Sequence, residues 1–187
     1  MTTRRATAAG APRTLPAFVE TLLYLALALA ATLAPLLPLS PGGTVMPPDL
    51  AYCLTIAWVI RRPARLPFPA ILLVGLLGDI LLSRPVGLGA LGLLVLAEAF
   101  RNRAHLFWSA PFPLEWLATA LGFAGLLAAQ HLALSLVFSP PPGFALSLNY
   151  LAATAVAYPV VVLGLTWVVG LRAPRLRDGG HHMARPS

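Results

Sequence analysis

Apolar residues gather into six runs along the chain, at 15–39, 48–60, 66–83, 86–100, 113–138 and about 146–171. Each run stops at proline, arginine or both. Pro35 and Pro38 lead into Ser40-Pro41-Gly42-Gly43 after the first, and Arg61-Arg62-Pro63 ends the second. Arg84-Pro85 ends the third and Arg101-Asn102-Arg103 the fourth. Ser139-Pro140-Pro141-Pro142-Gly143 ends the fifth, and Arg172 with Pro174 the sixth. These stops have a mechanism: proline lacks the amide donor that a continuing helix uses, and a guanidinium resists hydrocarbon. A bilayer core about 30 Å thick takes about 20 helical residues. The first, fifth and sixth runs meet that length. At 1.5 Å per residue the second rises only about 20 Å and the fourth about 23 Å. Snorkelling arginines and a locally thinned bilayer let such runs cross; a re-entrant hairpin is the other solution.

Arginine placement decides between them. With six crossings and the N-terminus inside, Arg4, Arg5, Arg13, Arg61, Arg62, Arg65, Arg101, Arg103, Arg172, Arg175, Arg177 and Arg185 all fall on the inner side. Arg84 alone falls outside. That asymmetry is the positive-inside signature. The Arg61 group is inside only if the second run crosses, and the Arg101 group only if the third and fourth both cross or neither does. The expected fold is an all-α polytopic membrane protein of six transmembrane helices with both termini cytoplasmic. Residues 1–14 form a cytoplasmic segment, 15–171 the membrane domain, and 172–187 a polar, disordered cytoplasmic tail. Four spans plus a re-entrant hairpin is the alternative. The basic N-terminus before an apolar run resembles a signal peptide, but roughly 24 apolar residues exceed an h-region, so an uncleaved anchor is expected.

Composition agrees with this. Of 187 residues, 58% are hydrophobic and only 10% charged, against about a quarter charged in soluble domains. Mean hydropathy is +0.81. The net charge of +7 is therefore read as membrane orientation, and a basic nucleic-acid-binding domain is excluded. Cys53 is the single cysteine, so no internal disulfide can form, and its apolar flanks mark it as a small buried hydrophobe.

Few motifs carry chemistry. Gly87-Leu88-Gly89-Ala90-Leu91-Gly92 has the G-x-G-x-x-G spacing, but it opens an apolar helix rather than joining strand to helix, so no dinucleotide site is expected. Gly87, Gly89 and Gly92, the row Ala26, Ala30 and Ala34, and Gly122, Gly125 and Ala129 are instead candidate faces for close helix packing or a partner helix. No metal-ligand spacing, paired carboxylate or cofactor motif is present. His181-His182 on the tail makes a poor metal site. His131 is expected to hydrogen-bond within the bundle, with Ser135 one turn on as a possible partner.

The acidic residues sort by position. Glu20, Asp49 and Glu115 lie in the first turns of their runs, where the helix dipole favours an anion. Glu98 has Arg101 three residues on. Asp79 has neither advantage, and a carboxylate at the bilayer centre costs about 2.5–3.5 kcal/mol on insertion scales. Arg84, the one arginine on the outer side, lies on the same face as Asp79 and Asp49. A structural polar cluster of Asp49, Asp79 and Arg84, with Asp79 pairing Arg84, is the simplest account.

Pro48-Asp49-Leu50, Ala57-Trp58-Val59-Ile60-Arg61-Arg62-Pro63, Leu77-Gly78-Asp79-Ile80-Leu81-Leu82-Ser83-Arg84-Pro85-Val86-Gly87-Leu88, Glu98-Ala99-Phe100-Arg101 and Phe112-Pro113-Leu114-Glu115-Trp116 follow in this order. Over about residues 15 to 172 the string resembles the MreD family of rod-shape-determining proteins, in its alphaproteobacterial form. The resemblance implies a non-catalytic, multi-pass subunit of the bacterial inner membrane that takes no cofactor. Its expected partner is MreC, through that protein's transmembrane helix. MreB filaments, RodA and a class B penicillin-binding transpeptidase belong to the wider complex. It also implies a membrane fold similar to the substrate-binding subunits of energy-coupling-factor vitamin transporters. The inner clusters Arg61, Arg62, Arg65, Arg101 and Arg103 would then face filament or anionic lipid. The competing reading is a vitamin-type small-molecule binding subunit of a transporter, with a polar pocket near the outer face.

Overall fold

The computed structural model describes residues 16–36, 47–136 and 143–170. Among these, all regular structure is helical. Helix α1 (Ala17–Leu33) runs into a 3₁₀ turn at Ala34–Leu36; α2 (Leu50–Arg61), α3 (Phe68–Leu81) and α4 (Leu88–Asn102) follow. Then come α5 (Ala104–Ser109), α6 (Phe112–Leu136) and α7 (Phe144–Gly164), which ends in a π-helical turn at Leu165–Val169. Each apolar run therefore holds one helix. The short α5 falls in a segment read as connecting. Its Trp108 indole donates to the Ile60 carbonyl at 2.9 Å, closing the end of α2, a contact 48 residues away in sequence that no local pattern announces.

Helix α2 is the axis of the bundle. Every residue from Tyr52 to Arg61 is buried, which is what a helix apolar on all sides requires. Helices α1, α4, α5 and α7 pack around it, and α3 packs tightly on α4. Helices α1, α6 and α7 are polar inward and apolar outward. Helix α1 buries Glu20, Tyr24, Ala28 and Thr32, one per turn, while Phe18 and Leu22 on α1, Leu121 and Leu132 on α6, and Val156 and Val160 on α7 are exposed. Buried charge under an exposed apolar jacket inverts the soluble pattern. Three helical stretches, Ala17–Leu36, Phe112–Leu136 and Phe144–Trp167, are long and apolar enough to cross a membrane. The helices Leu50–Arg61 and Phe68–Leu81 are apolar but shorter.

Side-chain contacts fix the helix directions. The end of α2 meets the start of α1 through Arg62 and Glu20, 3.8 Å apart, and the start of α6 through Arg61 and Glu115, 2.9 Å apart. The start of α2 meets the α3–α4 turn and the start of α7 through Asp49, Arg84 and Tyr150. Helices α1, α3 and α6 thus run one way and α2, α4 and α7 the other, so Pro16 and the end of α7 share one end.

Of the two roles expected for the alanine row, packing within the bundle or against a partner helix, the first is not seen. Ala26 and Ala30 are exposed and Ala34 only half-buried, so the row does not pack inside the chain. The inward face of α1 is offset by two residues, because Tyr24, whose hydroxyl lies 2.9 Å from Thr55 Oγ1, and Glu20 need protein partners and Ala26 and Ala30 do not. A close backbone approach between helices involves a glycine not singled out above. A Cβ on Gly75 would lie 2.7 Å from the Ala90 Cα, so α3 and α4 meet backbone to backbone.

Candidate functional site

The polar residues form two buried clusters, one at each end of α2. At the first end Asp49 is the N-cap of α2. Its Oδ1 accepts from the Tyr52 amide at 2.9 Å, which satisfies one of the orphan donors of a helix start. Its Oδ2 accepts from the Tyr150 hydroxyl at 2.6 Å and from Arg84 Nη1 at 3.3 Å. Arg84 Nη2 also donates to the Tyr150 hydroxyl at 2.6 Å, and its guanidinium carbon stands 5.4 Å from the Tyr150 ring centroid. The Asp49 amide donates to Thr154 Oγ1 at 3.1 Å. Burial works to lower the Arg84 pKa, but Tyr150 and the Asp49 carboxylate outweigh it and hold it above the ordinary guanidinium value.

Asp79 stands beside this cluster but is satisfied otherwise, and the expected Asp79–Arg84 ion pair is corrected. The Asp79 Oδ2 accepts from the backbone amides of Gly87 at 2.8 Å and Ala90 at 3.1 Å. It therefore caps α4 from eight residues upstream, at the positive end of the helix dipole. Arg84 is held to Asp79 only through its backbone, the Arg84 amide donating to the Asp79 carbonyl at 2.8 Å, which turns the guanidinium towards Asp49. Glycine makes the cap possible. Gly87 takes φ +93°, a conformation that side chains resist. A Cβ on Gly89 would run into the Asp79 carboxylate, and one on Gly92 into Leu126. Of the predicted glycine row, Gly89 and Gly92 are sites of close approach, whereas Gly87 serves the turn and has open space around it.

At the other end Arg61, 5% exposed, pairs with Glu115. The Tyr158 hydroxyl donates to the same Glu115 oxygen at 2.6 Å, and Arg61 Nη1 also donates to the Ala57 carbonyl at 3.0 Å. Trp116, the next residue on α6, donates to the Ala155 carbonyl at 2.7 Å, tying α6 to α7. The expectation that Arg61 faces filament or anionic lipid with the other inner arginines is therefore corrected: its charge is internal. Arg62 is half-buried beside Glu20, and Arg101 is 3.3 Å from Glu98, the expected i+3 pair. Arg101 also donates to the Leu66 carbonyl at 2.9 Å. Arg65 is half-buried and Arg103 exposed.

His131 bonds across helices, its Nε2 lying 2.8 Å from Ser147 Oγ on α7. The partner suggested above, Ser135, instead donates to the Leu132 carbonyl. Sequence reasoning also missed Tyr150, Tyr158 and Thr154. A tyrosine in a lipid-facing run reads as an interfacial anchor, and only the packing of α7 along α2 turns these hydroxyls inward. Beside the first cluster lies a cavity of about 440 Å³, lined by Ser83, Arg84, Gln130, His131, Ser147 and Tyr150 among leucines and prolines. Among the described residues no group of three or more His, Cys, Asp or Glu is placed to hold a metal ion. Compared with known proteins, the chain matches no family model, no curated protein and no solved structure.

Proposed function

We propose that this chain is a non-catalytic inner-membrane subunit of the bacterial cell-elongation complex, of the MreD type. It sets cell shape by assembling with MreC, and so couples MreB filaments to the peptidoglycan synthesis of RodA and a class B transpeptidase. One observation carries the reading. The ordered string that resembles the MreD family supplies the charged residues of both clusters: Asp49, Asp79 and Arg84 at one end, Arg61 and Glu115 at the other. A motif whose charges hold helices together suits an assembly subunit. Six crossings, with both termini cytoplasmic, fit the alternating helix directions and the arginine asymmetry.

The exposed row Ala26 and Ala30 on α1 is the face we assign to the MreC transmembrane helix, because small residues admit a second backbone closely. Arg103, with Arg62 and Arg65, meets the cytoplasmic surface, where each arginine near anionic lipid contributes about 1 kcal/mol. Depletion in the native bacterium tests the reading: cells are expected to round, and the tagged chain to co-purify with MreC. Rods of normal width and no MreC in the eluate would overturn it. The transporter-subunit reading has one observation on its side, the cavity beside Arg84 with polar groups from three parts of the chain; auxotrophy without rounding would favour it.

A further inference from the structure

The cavity beside Arg84 is not closed on itself. At Leu127, His131 and Ser147 its wall is shared with a second, more open groove of about 660 Å³ between α6 and α7. The two differ in chemistry. The chamber, within the size range of ligand sites, presents Arg84, Gln130, His131, Ser147 and Tyr150. The groove is walled by Ala124, Ala128, Leu132, Phe144, Leu148 and Leu151, and Phe144, Leu132 and Leu148 are exposed on the apolar jacket. The His131–Ser147 hydrogen bond stands at the junction.

Gln130 has no hydrogen bond among the described residues, yet it lies in a 25-residue apolar helix and lines the chamber. An amide in that setting wants a partner. The carboxylates nearby are engaged elsewhere: Asp79 on two backbone amides, Asp49 on Tyr52, Tyr150 and Arg84. The donors left for the chamber are the Gln130 amide and the Arg84 N–H groups not given to Asp49 and Tyr150, because the Tyr150 proton goes to Asp49 and the Ser147 hydroxyl is engaged with His131 and Gly143.

We propose that chamber and groove together bind one membrane amphiphile, its phosphate headgroup in the chamber against Arg84 and Gln130 and a hydrocarbon chain along the α6–α7 groove. Because Asp49 already offsets much of the Arg84 charge and takes the Tyr150 proton, the Gln130 amide shares the headgroup with the guanidinium N–H groups that Asp49 and Tyr150 leave free. A water-soluble phosphate would fill the chamber but leave the groove without a use.

The test is native mass spectrometry of the full chain, stripped of lipid in detergent, with three probes: dioleoylphosphatidylglycerol, dioleoylglycerol and glycerol 3-phosphate. One phosphatidylglycerol per chain is expected, bound roughly tenfold or more tightly than dioleoylglycerol, the scale of one charge-assisted hydrogen bond. Glycerol 3-phosphate is expected not to bind. Gln130→Leu removes the unpaired amide, and Ala128→Trp fills the groove; each is expected to weaken phosphatidylglycerol roughly tenfold while the lipid-free melting temperature holds. Gln130→Glu, of nearly the same size, puts an anion in the chamber and is expected to weaken the phospholipid more than dioleoylglycerol, so a misfolded Leu or Trp variant does not decide the matter. Equal binding of the two lipids, glycerol 3-phosphate binding as tightly as the phospholipid, or folded variants that bind like the parent would each overturn the proposal.

Discussion

Tyr150 gives Arg84 what no neighbour in sequence could. Its hydroxyl accepts from the guanidinium and donates to Asp49, each at 2.6 Å, so one oxygen joins the α3–α4 turn to the cap of α2. Tyr150→Phe removes both bonds with little change in volume. At about 0.5–1.5 kcal/mol for an ordinary hydrogen bond and more for a charged one, a loss of about 1–3 kcal/mol is expected, read as a lower midpoint in detergent unfolding. The same measurement tests the pairing of charges. A double-mutant cycle of Asp49→Ala with Arg84→Ala should return a coupling of about 1–3 kcal/mol, since the partners are only partly exposed. The cycle of Asp79→Ala with Arg84→Ala should return clearly less, because Asp79 bonds the amides of Gly87 and Ala90. A larger coupling to Asp79 than to Asp49 would reverse that assignment.

Among the elements, small residues play two distinct parts. Gly75 and Gly89 lie where α3 meets α4, and Ala30 lies on the outer face of α1. Overpacking a tight contact costs about 1–3 kcal/mol. Gly89→Leu and Gly75→Leu are therefore expected to lower thermal stability, the first also by displacing the carboxylate that caps α4. Ala30→Leu should leave the melting temperature of the isolated chain unchanged while reducing recovery of MreC in co-purification. A fall in melting temperature for Ala30→Leu, with MreC recovery intact, would move that face from partner to core.

At the scale of the whole molecule, the length of α2 sets the problem that the clusters solve. Asp49 and Arg61 are twelve residues apart, about 18 Å along a helix, while the hydrocarbon core is about 30 Å thick. On the proposed six-crossing reading, both ends cannot reach the headgroups of an undistorted bilayer; the charges are enclosed by the α3–α4 turn and α7 at one end and by α6 and α7 at the other. Removing one partner of such a pair costs about 3–5 kcal/mol, whereas replacing both with apolar residues is often neutral. Glu115→Ala is thus expected to strand Arg61 and reduce folded protein sharply, and Glu115→Leu with Arg61→Met to recover most of it, measured by unfolding in detergent. Orientation is tested separately. In a Cys53→Ala background, a cysteine at Gly143 should react with an impermeant reagent from the periplasm; reaction only from the cytoplasm would invert the topology.

Six of the seven helices among the described residues were legible in the sequence, because proline geometry and the aversion of arginine to hydrocarbon act within a few residues. The Asp49 cap of α2 and the Glu98–Arg101 pair were legible for the same reason, both being contacts of three residues or fewer. What the tertiary structure alone decided are the partners across the bundle. Tyr150 reaches Asp49 over 101 residues, Glu115 reaches Arg61 over 54, and α1 turns Glu20 and Tyr24 inward in place of the alanine row. A helix in a membrane is apolar on most of its surface, so its periodicity gives little hint of which stripe faces protein. That choice falls to the few polar groups that must find each other away from water.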